Sequence, residues 1–198
     1  MMTISAGVVK ELRERTGAGM MECKKALQDA NGDMEKAVDL LRSRGAAKAA
    51  KRSGREAREG VVGSYIHMGG KVGVLIEVNC ETDFVARNDE FQGLVRELAM
   101  HIAAMRPLAV MAEQIDAEVV ERERAVAREK VKNDGKPEHL WDRIADGMMK
   151  KFYQENALLE QAWVRDPDKT IGQLVQGAAA RTGENIVVRR FSRFALGE

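Results

Sequence analysis

Glu81-Thr82-Asp83-Phe84-Val85 sets carboxylates, a hydroxyl and an aromatic ring side by side, directly after an apolar run. Residues of these types do recognition chemistry: a Phe inserts into a partner while the adjacent Asp finds donors at the rim, the composition of an interface anchor. The same residues permit a plainer reading, in which Thr82 or Asp83 caps a following turn and Phe84 folds into the core. By themselves they leave both open.

Catalytic patterns fail elsewhere. Gly17-Ala18-Gly19 has Glu22 where a dinucleotide fingerprint needs its third glycine, and no strand precedes it. Gly69-Gly70-Lys71-Val72 lacks both the Ser or Thr after the lysine and the helix that a phosphate loop requires. No direct nucleotide binding and no cofactor are expected. His67, His101 and His139 are scattered, and Cys23 and Cys80 have no close Cys or His neighbours, so no metal site is expected. Nothing favours a histidine-centred triad or other covalent chemistry, and no catalytic residue is assigned.

Composition narrows the class of protein. A chain of 198 residues that is 44% hydrophobic and 32% charged can bury a core and carry a small module beside it. Aromatics at 5%, with abundant Ala and Met, favour helix over an all-β fold. A net charge of +1 is too small for a protein whose main task is coating nucleic acid. Two cysteines make no disulfide framework and read as reduced thiols. Met1 to Gly7 has no basic region followed by an apolar one, and no stretch is long enough to span a bilayer. A cytoplasmic protein, or an organellar one already processed, is expected.

The elements that must position Phe84 follow from periodicity and punctuation. Ser5 caps a first helix bearing Val8, Val9 and Leu12, a second carries Met20, Met21, Cys23, Ala26 and Leu27 up to Asn31-Gly32, and Asp33 caps a third with Met34, Ala37, Val38 and Leu41 inward. A helical, basic linker from Arg42 to Gly60 should follow. Residues 1–52 thus form a three-helix module with the start of that linker, and residues 53–198 a core α+β domain. In the core, Val61–His67 and Val72–Val78 form a hairpin over Met68-Gly69-Gly70-Lys71, and Asn185–Ala195 supplies a third antiparallel strand. Thr82–Val85 reads as a loop, Asn88 or Asp89 starts a helix ending before Pro107, and Asp116–Lys132 with Pro137–Glu155 make a charged helical hairpin projecting from the body. Asp166-Pro167-Asp168 reads as a turn, and Thr170 caps a last helix closed by Gly183.

Two basic clusters need weighing. Arg42–Arg58 is either solvated linker charge or a patch for RNA or an acidic protein, and Arg189, Arg190 and Arg193 either discourage edge pairing or contact nucleic acid. The lack of aromatic residues near the basic linker counts against single-strand binding.

Four blocks then converge: Val9-Lys10-Glu11-Leu12-Arg13; Thr16 to Leu27, reading TGAGMMECKKAL; Asn79 to Ala86, reading NCETDFVA; and Gly183 to Arg190, reading GENIVVRR. On these the chain resembles the elongation factor Ts family, the bacterial and organellar exchange factors for elongation factor Tu, over nearly its whole length and in the short form with one core subdomain. The resemblance implies a UBA-like N-terminal module and a wedge made of Thr82, Asp83, Phe84 and Val85 that enters the partner near its magnesium and phosphate site. It implies module contacts at Arg13, Met20, Met21 and Lys24, although Met20 and Met21 can instead pack inside the three-helix core. It also implies a homodimer, in which Ser192 offers no cysteine for a cross-link, so assembly rests on noncovalent burial. Exchange itself is coupled binding: a factor that grips the nucleotide-free shape better must weaken GDP by the factor that GDP weakens it. Neither membrane attachment nor specific nucleic-acid binding is expected. A structural adaptor, the competing class, would bind without changing nucleotide affinity.

Overall fold

The computed structural model describes residues 4–52, 54–67 and 69–198, without the side chains of Ala46, Lys48, Ala49 and Ala50. Helix α1 (Ala6–Thr16) starts where the Ser5 hydroxyl accepts the Val8 N–H at 3.4 Å. It stops at Gly17, whose φ of +68° lets its N–H reach the Arg13 carbonyl at 2.7 Å. After α2 (Met20–Asp29), Asp33 caps α3 (Met34–Arg52) by accepting the Lys36 N–H at 3.1 Å, a bond that holds its carboxyl below the usual value. Leu12, Cys23, Ala26, Leu27 and Ala37 form the buried centre of these helices. A forked Arg15–Glu35 pair, at 2.6 and 3.0 Å, fastens α1 to α3.

The basic segment differs from expectation. Its first half continues α3 without a break, because alanines and long basic side chains favour helix, but the helix ends at Arg52 instead of reaching Gly60. Strand β1 (Glu59–Ile66) has already begun there, drawn into extended form with β-branched Val61 and Val62.

Strands β1, β2 (Val72–Cys80) and β5 (Val187–Ala195) make a three-stranded antiparallel sheet in the order β1-β2-β5. The His67 N–H closes the hairpin onto the Val72 carbonyl at 2.9 Å, over Gly69 and Gly70 at positive φ; Met68, expected in this turn, lies outside the described residues. The Leu196 N–H, bonded to the Lys71 carbonyl at 2.8 Å, fixes the far end of β5 beside the start of β2. Val74, Ile76 and Val78 point from β2 into the core. Gly63 is required on β1, since a Cβ there would lie 2.3 Å from Cγ1 of Val95.

Beyond β2 come α4 (Asp83–Ala86) and α5 (Asp89–Met105), then α6 (Ala117–Asn133) and α7 (Trp141–Asn156). The last two pack on each other through buried Ala127, Val131, Ala145 and Met149, laced by Arg124–Asp146 at 3.0 Å and Arg128–Asp142 at 2.9 Å. The expected turn at Asp166-Pro167-Asp168 is instead strand: β4 (Asp166–Thr170) pairs antiparallel with β3 (Ala162–Trp163), and the turn falls at Val164-Arg165. Pro167 fits an edge strand of a two-stranded ribbon, where a missing N–H costs little. Thr170 and Gln173 cap each other's backbone at the start of α8 (Ile171–Thr182).

The chain folds into two compact units. One comprises residues up to Val61, Asn79–Leu94 and Val175–Val187; the other comprises Val62–Val78, Val95–Leu174 and Val188–Glu198. In the second unit His101, wholly buried, accepts the Val164 N–H at Nδ1 (3.3 Å) and so donates from Nε2 to Oε1 of buried Gln161 (3.0 Å). Burial keeps this imidazole neutral, its pKa lowered despite the opposing bond to Gln161. No helix among the described residues is long and apolar enough to cross a membrane.

Candidate functional site

The segment expected as a loop is a single helical turn, α4, and the plainer reading of it holds only in part. Thr82 is the cap, its hydroxyl accepting the Val85 N–H at 3.3 Å, as in the plain reading. Phe84, however, is 79% exposed instead of folded inward. The turn is seated by the two residues that follow: Val85 and Ala86 are buried, and the Gln92 side chain donates to the Ala86 carbonyl at 2.6 Å. Val85, expected at the contact surface, therefore faces the core of its unit and serves as the foot on which Phe84 stands. Successive residues of a helix are turned by about 100° from one another, which lets Val85 face inward while Phe84 faces out.

Asp83 lies at the start of the turn, exposed, with one carboxylate oxygen 3.0 Å from the Arg87 guanidinium. The pair is i,i+4 and open to solvent, so it contributes about 0.3 kcal/mol and a partner's donors can replace it. The residues on the other side of the turn have no such freedom. Oε2 of Glu184 accepts the Glu81 N–H at 3.0 Å and the Thr82 N–H at 3.1 Å, and its Oε1 accepts the Thr82 hydroxyl at 2.6 Å. In return Glu81 Oε1 accepts the Asn185 N–H at 2.6 Å, and the Asn185 amide donates to the Arg55 carbonyl at 2.8 Å. Composition and periodicity gave no signal for Glu81, Glu184 or Asn185 as a framework, because their bonds join chain segments about a hundred residues apart. Glu184 stood only as part of a sequence block, and Asn185 as part of that block and as the expected start of the last strand, which begins instead at Val187.

Cys80, at the end of β2, contributes no reactive thiol. Burial first, and the Glu184 carboxylate second, push its pKa up to about 11. Among the described residues no cluster of His, Cys, Asp or Glu could hold a metal ion.

The module residues lie on the surface of the same unit. Arg13, Met20, Met21 and Lys24 are all exposed, Met21 to 74% and Met20 to 43%, so neither methionine is part of the module's core. The second unit has an exposed region of another kind. Val62, Ile66, Leu75, Phe194 and Leu196 present apolar side chains to solvent, and an open groove of about 570 Å³ runs between the β1–β2 hairpin and the end of β5.

Comparison with known proteins gives these surfaces a context. The family model described as elongation factor TS matches residues 47–198. The chain is 58% identical over 198 residues to the elongation factor Ts of Desulfosudis oleivorans, covering all of both chains. It belongs to the elongation factor Ts family. Two further relatives of that name agree: one from Thermoanaerobacter sp., 57% identical over 98% of this chain and 96% of its own, and one from Geobacter sulfurreducens, 56% identical over 100% and 91%. The match to these relatives includes the N-terminal helices, which the family model omits. Membership in the elongation factor Ts family carries the role of a nucleotide exchange factor in translation elongation.

Proposed function

We propose that this protein binds elongation factor Tu and promotes GDP release by disturbing its magnesium and phosphate site, so that GTP can be reloaded. The observation that carries this reading is Phe84, exposed to 79% on a turn that is capped by Thr82 and seated by buried Val85 and Ala86. Exposing such a ring has a cost that only burial against a partner recovers, about 1.5–3 kcal/mol for a full side chain. Phe84 is the inserting group and Asp83 its directional neighbour, released from Arg87 on contact. Thr82 and Val85 form the mount beneath them.

The three-helix module of residues 1–52 acts as a second grip, through Arg13, Met20, Met21 and Lys24. Exposed thioethers suit a partner surface because they adapt to its shape. No covalent step is needed. A thousandfold faster release asks for about 4 kcal/mol off the exit barrier, which loss of metal coordination and phosphate contacts can supply. The working place of such a factor is the cytoplasm.

We further propose a noncovalent homodimer joined through the outer face of the sheet. The apolar side chains of Ile66, Leu75, Phe194 and Leu196 beside an open groove favour it, and a second copy covers them with the same surface.

Release of a fluorescent GDP from elongation factor Tu, with and without substoichiometric amounts of this protein at fixed magnesium, tests the main reading. Fast catalysed release supports it. Tight binding with slow release would make the protein an adaptor instead.

A further inference from the structure

We infer that Glu184 is a positioning residue for nucleotide exchange: its carboxylate fixes the Thr82 turn so that Phe84 is presented before any partner arrives. This rests on the reading of Phe84 as the inserting group.

A helix of four residues has too few internal bonds to hold itself, so α4 exists only because its ends are fixed from outside. At the N-terminal end most of the fixing is done by one side chain, with the Cys80 thiol adding a bond to the Thr82 carbonyl at 3.1 Å. Glu184 receives both backbone N–H groups of Glu81 and Thr82, donors that lead into the turn, and it receives the proton of the Thr82 hydroxyl. A hydroxyl has a single proton. Once that proton is committed to Glu184 Oε1, the Thr82 oxygen offers its lone pairs to the Val85 N–H, and the cap is set. Glu184 thereby decides the orientation of the cap, and the cap decides where the next residues point.

The carboxylate is itself held in place. Gly183, with φ at +78°, ends α8 and sends its N–H to the Ala179 carbonyl, so the chain leaves the helix just before Glu184. On the far side Asn185, buried, is bonded to Glu81 and to the Arg55 backbone. An ion pair between Arg181 and Glu90 fastens α8 to the first turn of α5, directly after the wedge. Two reciprocal carboxylates, Glu184 on the turn and Glu81 on the Asn185 segment, thus lock the two stretches in one register.

The test compares Glu184→Ala, Glu184→Gln, Phe84→Ala and the Glu184→Ala/Phe84→Ala pair in catalysed GDP release from elongation factor Tu, with thermal melting alongside. Glu184→Ala is expected to lower the maximal release rate by about tenfold or more while moving the half-saturating concentration by less than about threefold, since the module's grip is untouched. Glu184→Gln keeps one acceptor for the two N–H groups but sets an amide NH2 against the Thr82 hydroxyl, so its rate should fall between those of Glu184→Ala and the parent; a parental rate would overturn the role given to the hydroxyl proton. In the Phe84→Ala background the alanine at 184 should cost nothing further, because a misplaced wedge and a missing one are the same defect. Full multiplication of the two losses, or parental release by Glu184→Ala, would overturn the positioning role. If Glu184→Ala does not fold, Thr82→Val removes the hydroxyl alone; a parental maximal rate there overturns the role, and a drop with unchanged half-saturation supports it. Parental release by Phe84→Ala would sink the underlying reading instead, which separates the two failures.

Discussion

Phe84 and Phe194 are exposed to nearly the same degree, 79% and 70%, yet they are built into quite different settings. Phe84 stands alone on one helical turn, with buried Val85 and Ala86 below and a carboxylate clamp behind. Phe194 belongs to a strand and shares its exposure with Ile66, Leu75 and Leu196 along a groove. A single supported ring can fill one pocket, whereas a broad apolar face needs an area of like kind to cover it. Exposure alone therefore does not define a site. What lies under the exposed group and beside it says whether it is a point anchor or part of a patch.

The contrast breaks first at Phe84. Phe84→Ala should reduce catalysed GDP release about a hundredfold, the size of an interface hot spot of nearly 3 kcal/mol, with little change in melting temperature because the ring has almost no internal packing. Stopped-flow release and thermal melting on the same sample check both halves; equal release by the variant would move Phe84 into the class of incidental surface. Phe194→Glu should do the reverse. It places a charge in the middle of the apolar face, so dimer dissociation should strengthen by about tenfold or more, while release per assembled factor holds once the protein concentration compensates. Sedimentation across a dilution series reads the first. A parent that is monomeric at every concentration would refute the dimer, leaving Phe194 without a partner copy.

The two regions also differ in how far sequence revealed them. The longer helices, their caps at Ser5, Asp33 and Thr170, and the three strands of the sheet were legible because periodicity and capping are local signals, although the helical reading of the basic segment ran past Arg52. Phe84 was legible as a candidate because an aromatic next to Asp at a strand exit is a local anomaly. Its orientation was not, since burial of Val85 instead of Phe84 depends on what packs underneath. Glu184 was invisible as a support for the same reason: its three bonds reach across a hundred positions of chain. The ribbon of β3 and β4 was missed because Asp-Pro-Asp carries the strongest turn chemistry in its neighbourhood, and pairing with Ala162-Trp163 overrode it.

A second pair of networks sharpens the comparison. The clamp in the first unit is built from carboxylates, whereas the network in the second is neutral, a buried imidazole between Gln161 and the Val164 N–H. The unfolded chain takes up a proton at His101 near the ordinary value of 6.5, but the folded protein does so only at lower pH. Between those values the unfolded state holds more protons. The stability from this site is thus complete above about pH 6.5 and is lost as pH falls through the folded pKa, at no more than about 1.4 kcal/mol per pH unit. His101→Asn should give a flatter stability profile below pH 6.5 by urea titration. A profile parallel to the parent's would mean that the imidazole protonates without cost.

The smallest effect belongs to Arg87, and it separates the two carboxylates flanking Thr82. Glu184 is committed to three donors inside the unit, so changing it alters geometry; Asp83 has an exposed pairing with Arg87, so changing that partner alters only how free Asp83 is to turn outward. Arg87→Ala should shift stability by no more than about 0.5 kcal/mol and lower the half-saturating concentration for exchange by up to about twofold, because the partner no longer competes with Arg87. An increase of the same size would place Arg87 itself at the contact. A tenfold loss of maximal rate would mean that the Asp83–Arg87 pair, and not the Glu184 clamp alone, holds the turn that carries Phe84.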